Sequence, residues 1–281
     1  ARPSVALITN AAPAHLEEFG SLDNIIQGKG EILDGLPGDG RAILNTDSPG
    51  FQRWLDRAPC PVVSYGTSSG DFLWDWTAQG PGGGPEVILN GEYWPVALPG
   101  RHNGANLVAA ILAARALGLA ENTIRDGLQK FSPSAHRSAV HFLAGRALLD
   151  DAYNANPESM VAGITGLKNL PGAGRTLAVL GHMAELGPES AGLHRQTGER
   201  FRQQEVDILV AVGPLAQPLA EGFSGAGGMA VELQDVAEAA RWLQDHTRPG
   251  DRIMVKGSRS AALDFLVDDL RKIWNETDDG P

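Results

Sequence analysis

"ALLDDAYNANPES", residues 147–159, runs an apolar strand-like segment into two aspartates, a tyrosine and two asparagines. It then places Pro157 where a helix takes its first residue, with Asn156 as the cap. The same succession recurs down the chain: "TLAVLG" before a helix from Glu189, "DILVAVG" before one from Val236, and "RIMVKG" before one from Ala261. Strands and helices alternating at this spacing predict an α/β fold with a mostly parallel sheet covered by helices on both faces.

Upstream the pattern is mixed. Strand patterns fall at residues 5–9, 42–45 and 62–65, and "FLWDWTAQ" and "EVILNGEYWPVAL" form an antiparallel hairpin across "GPGGGP". "TNAAPAHLEEFGSLDNIIQGKGEI", residues 9–32, reads as loop and carries His15 and Lys29. "NGANLVAAILAARALG" predicts a helix capped by Asn103 and stopped at Gly118, and "ENTIRDGLQKF" a second short one. The change of pattern sets a domain boundary near residues 132–138, giving domains 1–134 and 135–281.

Composition bounds the function. A chain of 281 residues, 42% hydrophobic and 20% charged, is large enough for two cores. The sequence has no run of eighteen apolar residues that could span a bilayer, so no stable membrane insertion is expected. The net charge of −11 repels phosphate backbones and anionic lipid, which argues against nucleic acid as a partner. A lone cysteine, Cys60, suits a reducing, cytoplasmic setting, and "APCPVV" suggests a buried strand start. The opening "ARPSVALITN" has neither methionine nor a signal-type segment, so a piece of a longer chain is expected. G-x-x-x-x-G-K-[ST], G-x-G-x-x-G and H-E-x-x-H are absent.

In α/β sheets ligands sit beyond the carboxyl ends of the strands. The residues there are "DDAYNANPES", "GHMAELG" and "KGSRS". An aspartate at a strand end can accept from ribose hydroxyls, and the following helix terminus can face phosphate. Lys256 and Arg259, around a Gly-Ser turn, suit a carboxylate or phosphate. Capping and solvated strand ends account for either segment taken alone.

Five segments in order, "TNAAPAHLEEFGS…GKGEI", "LPGRHNGAN", "LLDDAYNANPESM", "VLGHMAELG" and "VKGSRS", resemble the Mur ligases from residue 2 to about 265. Within that family they resemble the branch that joins D-alanyl-D-alanine to UDP-N-acetylmuramoyl-tripeptide in peptidoglycan synthesis. The resemblance implies part of the central ATPase domain followed by the Rossmann-like C-terminal domain. It also implies ATP and Mg2+, and amide synthesis through an acyl phosphate that the dipeptide amine displaces. His15 is similar to a ligand of the magnesium, and Lys29 to a lysine that supports metal when carbamoylated. His102, Asn103 and Asn106 resemble the segment bordering adenine. Arg137 resembles a linker arginine that reaches the nucleotide, and Asp151 an aspartate near the ribose, with Tyr153, Asn154 and Asn156 in the adjoining loop. Lys256, Ser258 and Arg259 fall where the dipeptide is held.

The sequence departs from the family pattern at His182, where an aspartate is usual, and at Ala135-His136, where a Pro-Gly-Arg turn is common. Lacking a phosphate loop of the G-K-[ST] type, the chain by itself is expected not to turn over ATP. A noncatalytic nucleotide- or dipeptide-binding module derived from a Mur ligase is the alternative. A relative of folylpolyglutamate synthase fits "DAYNANPES" poorly, and a nicotinamide dehydrogenase lacks its glycine fingerprint.

Overall fold

The computed structural model describes residues 2–13, 16–82, 84–274 and 276–277. Two compact units emerge, the first ending at Ser132 and the second beginning at Pro133, with the short segment that ends at Glu18 counted in the second.

After β1 (Val5–Ile8) come α1 (Leu16–Phe19) and α2 (Leu22–Gly30). Residues 9–32 are therefore not simply the loop their polar composition suggests. The Ser21 hydroxyl caps α2 by accepting from the Asn24 N–H, and Ile25 and Ile26 are buried. Polar side chains on the outer face hide this short amphipathic pattern. Lys29 lies in the last turn of α2 and is exposed.

There follow β2 (Arg41–Asn45), α3 (Phe51–Arg57), β3 (Val62–Gly66), β4 (Phe72–Thr77), β5 (Glu86–Leu89), β6 (Glu92–Pro95), α4 (Arg101–Ala116) and α5 (Glu121–Gln129). The sheet runs in the order β1 to β6, parallel as far as β4 and antiparallel beyond it. The hairpin across the Gly/Pro loop is present as β4 and β5. "EVILNGEYWPVAL" is two strands rather than one: Asn90 (φ 47°) and Gly91 (φ 87°) form a two-residue turn that sets Leu89 opposite Glu92. Cys60 is half-buried just before β3.

Helix α4 starts at Arg101 after Gly100, not at an Asn103 cap. Asn103 lies in the first turn and is buried, its amide donating to the Pro99 carbonyl at 2.8 Å. The helix buries Val108, Ala109, Ile111 and Leu112 against Tyr65, Val87 and Trp94. Each large aliphatic of this kind contributes about 1.5–3 kcal/mol. Gly104 permits the close approach, since a Cβ there would stand 3.0 Å from Val87 and 3.1 Å from Trp76.

The second unit opens with the antiparallel pair β7 (Ala139–Leu143) and β8 (Arg146–Asp151). Then come α6 (Pro157–Lys168), β9 (Thr176–Leu180), α7 (Ser190–Gln203), β10 (Ile208–Val212), α8 (Gln217–Gly225), β11 (Met229–Leu233), α9 (Val236–His246), β12 (Arg252–Lys256), α10 (Leu263–Trp274) and β13 (Glu276–Thr277). The sheet order is β11-β10-β9-β12-β8-β7-β13, with the first five parallel.

The period-2 alternation of the strands divides the core. Leu149, Ala178, Leu180 and Met254 meet Met160, Ile164, Phe201 and Phe223 from α6, α7 and α8. Leu148, Val179, Val210 and Val255 meet Leu243, Leu266 and Leu270 from α9 and α10. The mostly parallel sheet with helices on both faces is thus present. Its antiparallel edge strands, α8 and β11 go beyond the sequence expectation.

Candidate ligand sites at the strand ends

In the first unit three parallel strands deliver polar residues to one cavity of about 590 Å³. Its lining includes Asn10 after β1, Asn45 at the end of β2, Asp47 beyond it, and Thr67 after β3. These loops are tied together. The Asn45 amide donates to the Thr9 carbonyl at 2.9 Å, its oxygen accepts from the Asp47 N–H at 2.9 Å, and Asp47 accepts from the Thr67 N–H and hydroxyl. Helix α4 adds His102 and Asn106, four residues apart and hence on one helical face. Arg101 stands 5.2 Å above the Trp74 ring and 3.2 Å from Asp75.

Of the three α4 residues assigned from sequence, His102 and Asn106 line this cavity. Asn103 turns instead to a smaller, apolar one of about 180 Å³ with Leu98, Leu107 and Phe131. Asn45, Asp47 and Thr67 are not among the residues assigned from sequence; the available signal is a polar residue at or just beyond the end of each of three successive strands. "GTSSG", residues 66–70, has the spacing of a nucleophile elbow. It leads from β3 into β4 rather than into a helix, so Ser68 lacks the strand-to-helix setting of that motif.

His15 lies outside the described residues, so its role is without a structural account. Among the described residues, no three His, Cys, Asp or Glu side chains come together as a metal site.

In the second unit β9 leads to α7 on one face of the sheet, while its neighbour β12 leads to α10 on the other. The crevice between two such strands is the usual ligand position of a doubly wound sheet. Here it holds His182 and the 258–260 turn, stitched by the Gly181 N–H to the Lys256 carbonyl and the Ser258 N–H to the His182 carbonyl, both 2.9 Å. His182 Nε2 lies 2.9 Å from Ser260 Oγ, which is 3.1 Å from Ser258 Oγ.

Cavities of about 800 and 250 Å³ flank His182. His194, Ser190 and Leu215 help line the larger, and Gln234 and Ser260 the smaller. Burial, and secondarily the neighbouring His194, lowers the pKa of His182, so its imidazole is neutral at neutral pH. His194 is buried with both nitrogens engaged. Nδ1–H donates to the Ser190 carbonyl at 2.7 Å and Nε2 accepts from the Met183 N–H at 2.8 Å. Burial also lowers its pKa, outweighing the Ser190 carbonyl, which favours the cation.

The "DDAYNANPES" loop is largely internally bonded. Asp151 accepts from the Ser138 N–H and hydroxyl and from Lys256 Nζ. Lys256, only 3% exposed, also donates to the Asn154 carbonyl at 3.0 Å, so its charge is directed inward. Asn156 and Ser159 form a reciprocal capping box on α6. Tyr153 is exposed, with the Arg137 guanidinium 3.7 Å and that of Arg259 5.9 Å from its ring centre. Arg259 also pairs with Asp264 at 2.9 Å, and Ser258 is buried. Arg137, Asp151, Tyr153, Asn154, Lys256 and Arg259 thus come together, while Asn156 is engaged as a cap.

Both α/β units thus open polar cavities beyond the carboxyl ends of their parallel strands, the usual ligand position of such sheets. The chain belongs to the Mur ligase family: residues 1–114 match the Mur ligase middle domain, and residues 136–259 match the glutamate ligase domain of Mur ligases. It is 34% identical over 285 aligned residues to the UDP-N-acetylmuramoyl-tripeptide–D-alanyl-D-alanine ligase of Escherichia coli, covering 96% of this chain and 61% of that protein. It is 31% identical to the ligase of the same description from Bacillus subtilis, covering 96% and 60%. Among solved structures, MurF from Acinetobacter baumannii superimposes with a TM-score of 0.83 at 28% identity, over 96% of this chain and 60% of that one. MurF from Thermotoga maritima in complex with ADP gives 0.81 at 25%, over 97% and 62%. The chain therefore spans about three fifths of the length of these relatives.

Proposed function

We propose that this chain is the nucleotide- and acceptor-handling part of an ATP-dependent ligase that joins D-alanyl-D-alanine to UDP-N-acetylmuramoyl-tripeptide in the cytoplasm. The observation that carries this reading is the match to relatives of that one description over 96% of the chain, through both units. The half-buried Cys60, the only cysteine, suits a reducing compartment.

In this reading ATP lies in the first unit's crevice, where His102 and Asn106 offer polar edges to a base. Asn45 holds Asp47 and Thr67 in place for polar contacts. In the second unit, Arg137 and Tyr153 pair a cation with an aromatic face, a combination that suits a nucleotide. The acyl phosphate gathers negative charge, which cations and fixed donors stabilise without a protein nucleophile. Arg259 and the Ser258 and Ser260 hydroxyls, at the sheet's switch point, hold the dipeptide carboxylate. Lys256 acts through Asp151 and the Asn154 carbonyl, keeping the loop in place. His102 and Asn106 test the reading: calorimetry on the chain should show ADP binding that is weakened by His102→Ala and Asn106→Ala together. ADP binding untouched by that pair would overturn the placement of the base.

A further inference from the structure

The turn joining Ser134 to Ser138 carries two residues with left-handed backbones that L side chains rarely adopt: His136 (φ 59°) and Ser138 (φ 53°). Arg137 stands between them. Each unusual residue is fastened to one of two adjacent aspartates. His136 Nδ1 lies 3.0 Å from Asp150 Oδ2, and the Ser138 N–H donates to Asp151 Oδ1 at 3.0 Å. The ring and the backbone of His136 both serve the arrangement, because its carbonyl accepts from the Tyr153 N–H at 3.0 Å.

We propose that His136 is a positioning residue: its bond to the buried Asp150 holds the turn in the conformation that lays the Arg137 guanidinium over Tyr153. The role of that stack in nucleotide binding rests on the reading above; the positioning itself does not. Asp150 is only 2% exposed, and among the described residues His141 Nε2, 3.6 Å from the same oxygen, and the Ala152 N–H, on Oδ1 at 3.3 Å, also face it. A carboxylate so enclosed retains its donors strongly, since an unmatched buried charge is costly. The imidazole is therefore an anchor. A glycine at this position would allow the same backbone conformation and equally allow others.

The test is an NMR measurement on the whole chain. With the guanidinium 3.7 Å from the Tyr153 ring centre, the Arg137 δ-methylene protons should be displaced upfield by the ring current. Tyr153→Leu should abolish that displacement and so assign it. His136→Gly should reduce it by more than half while the fold, followed by amide spectra, is retained. Asp150→Asn, which keeps the shape of the partner, should reduce it too. Full retention in both variants would overturn the proposal. A double-mutant cycle on ADP affinity separates the two layers. His136→Gly should weaken ADP roughly tenfold, the scale of one lost charge-assisted contact, and should add nothing when Arg137→Ala is already present. Equal losses in both backgrounds would mean a purely structural effect and would sink the positioning role. If Arg137→Ala leaves ADP affinity unchanged, the nucleotide reading fails and the ring-current result alone decides.

Discussion

His194 gives the sharpest prediction, because both ring nitrogens are used and the surroundings fix its charge. Its Nδ1–H donates to the Ser190 carbonyl and its Nε2 accepts from the Met183 N–H, so only the neutral ring with hydrogen on Nδ1 makes both bonds. In His194→Ala the Met183 N–H loses its acceptor, at about 1–3 kcal/mol, and the vacated space adds a packing loss. A total of about 2–4 kcal/mol corresponds to a melting midpoint lower by roughly 5–15 °C for a domain of this size. His194→Gln, whose amide oxygen can accept from Met183, should recover part of it.

The sign with pH follows from the lowered pKa. Above about pH 6.5 the ring is neutral in both folded and unfolded chains and its full contribution is present. As pH falls below that value the unfolded chain takes up a proton that the folded one resists, and stability drains away towards the folded pKa. The gap between wild type and His194→Ala, followed by circular dichroism from pH 8 to 5, should therefore narrow on acidification by up to about 1.4 kcal/mol per pH unit. The difference also carries a smaller contribution from His182, whose pKa His194 helps to lower, and this acts in the same direction. A gap that stays constant or widens would refute the assignment of a neutral, doubly bonded ring.

Other outcomes follow from packing, caps and motifs. Gly104→Val should cost about 1–3 kcal/mol in chemical denaturation, because even a Cβ there meets Val87 and Trp76 near 3 Å. Asn156→Ala should cost about 1 kcal/mol through loss of the α6 cap, with Asn156→Asp close to neutral. The purified 281-residue chain, lacking a phosphate loop of the G-K-[ST] type, should release no phosphate from ATP with both substrates and magnesium; turnover in a phosphate-release assay would contradict this.

The second unit was the more legible in sequence because its strands are short apolar runs bounded by glycine and polar loops, and Pro157 marks a helix start outright. Helix α8 escaped because "QPLAEGFSG" carries a proline and two glycines, and only the burial of Leu219, Ala220 and Phe223 identifies its inner face. The turn at Asn90-Gly91 carries a strong hairpin signal that the apolar residues on either side of it obscure. At the sites, strand-end polarity points to the loops after β9 and β12, which the structure brings together through His182 and Ser260. Residue type alone could not separate an outward cation from an inward one: Lys256 and Arg259 lie in the same segment, yet one is buried against Asp151 and the other is exposed. Asn103 is a similar case, since its inward direction depends on the helix beginning at Arg101.

The strand order also bears on synthesis at the ribosome. The centre of the second sheet is occupied by β12, hydrogen-bonded to β8 on one side and β9 on the other, although it follows β7 to β11 in the chain. Until Lys256 has left the exit tunnel, β8 and β9 have no strand between them, and the apolar faces awaiting Ile253, Met254 and Val255 stay open. This unit must therefore complete its core only once β12 has been made, through pairings about a hundred residues apart, which favours slow closure and a demand for chaperone protection. A ribosome stalled before β12 should hold a protease-sensitive second unit, whereas one stalled far enough beyond α10 to clear it should hold a resistant one.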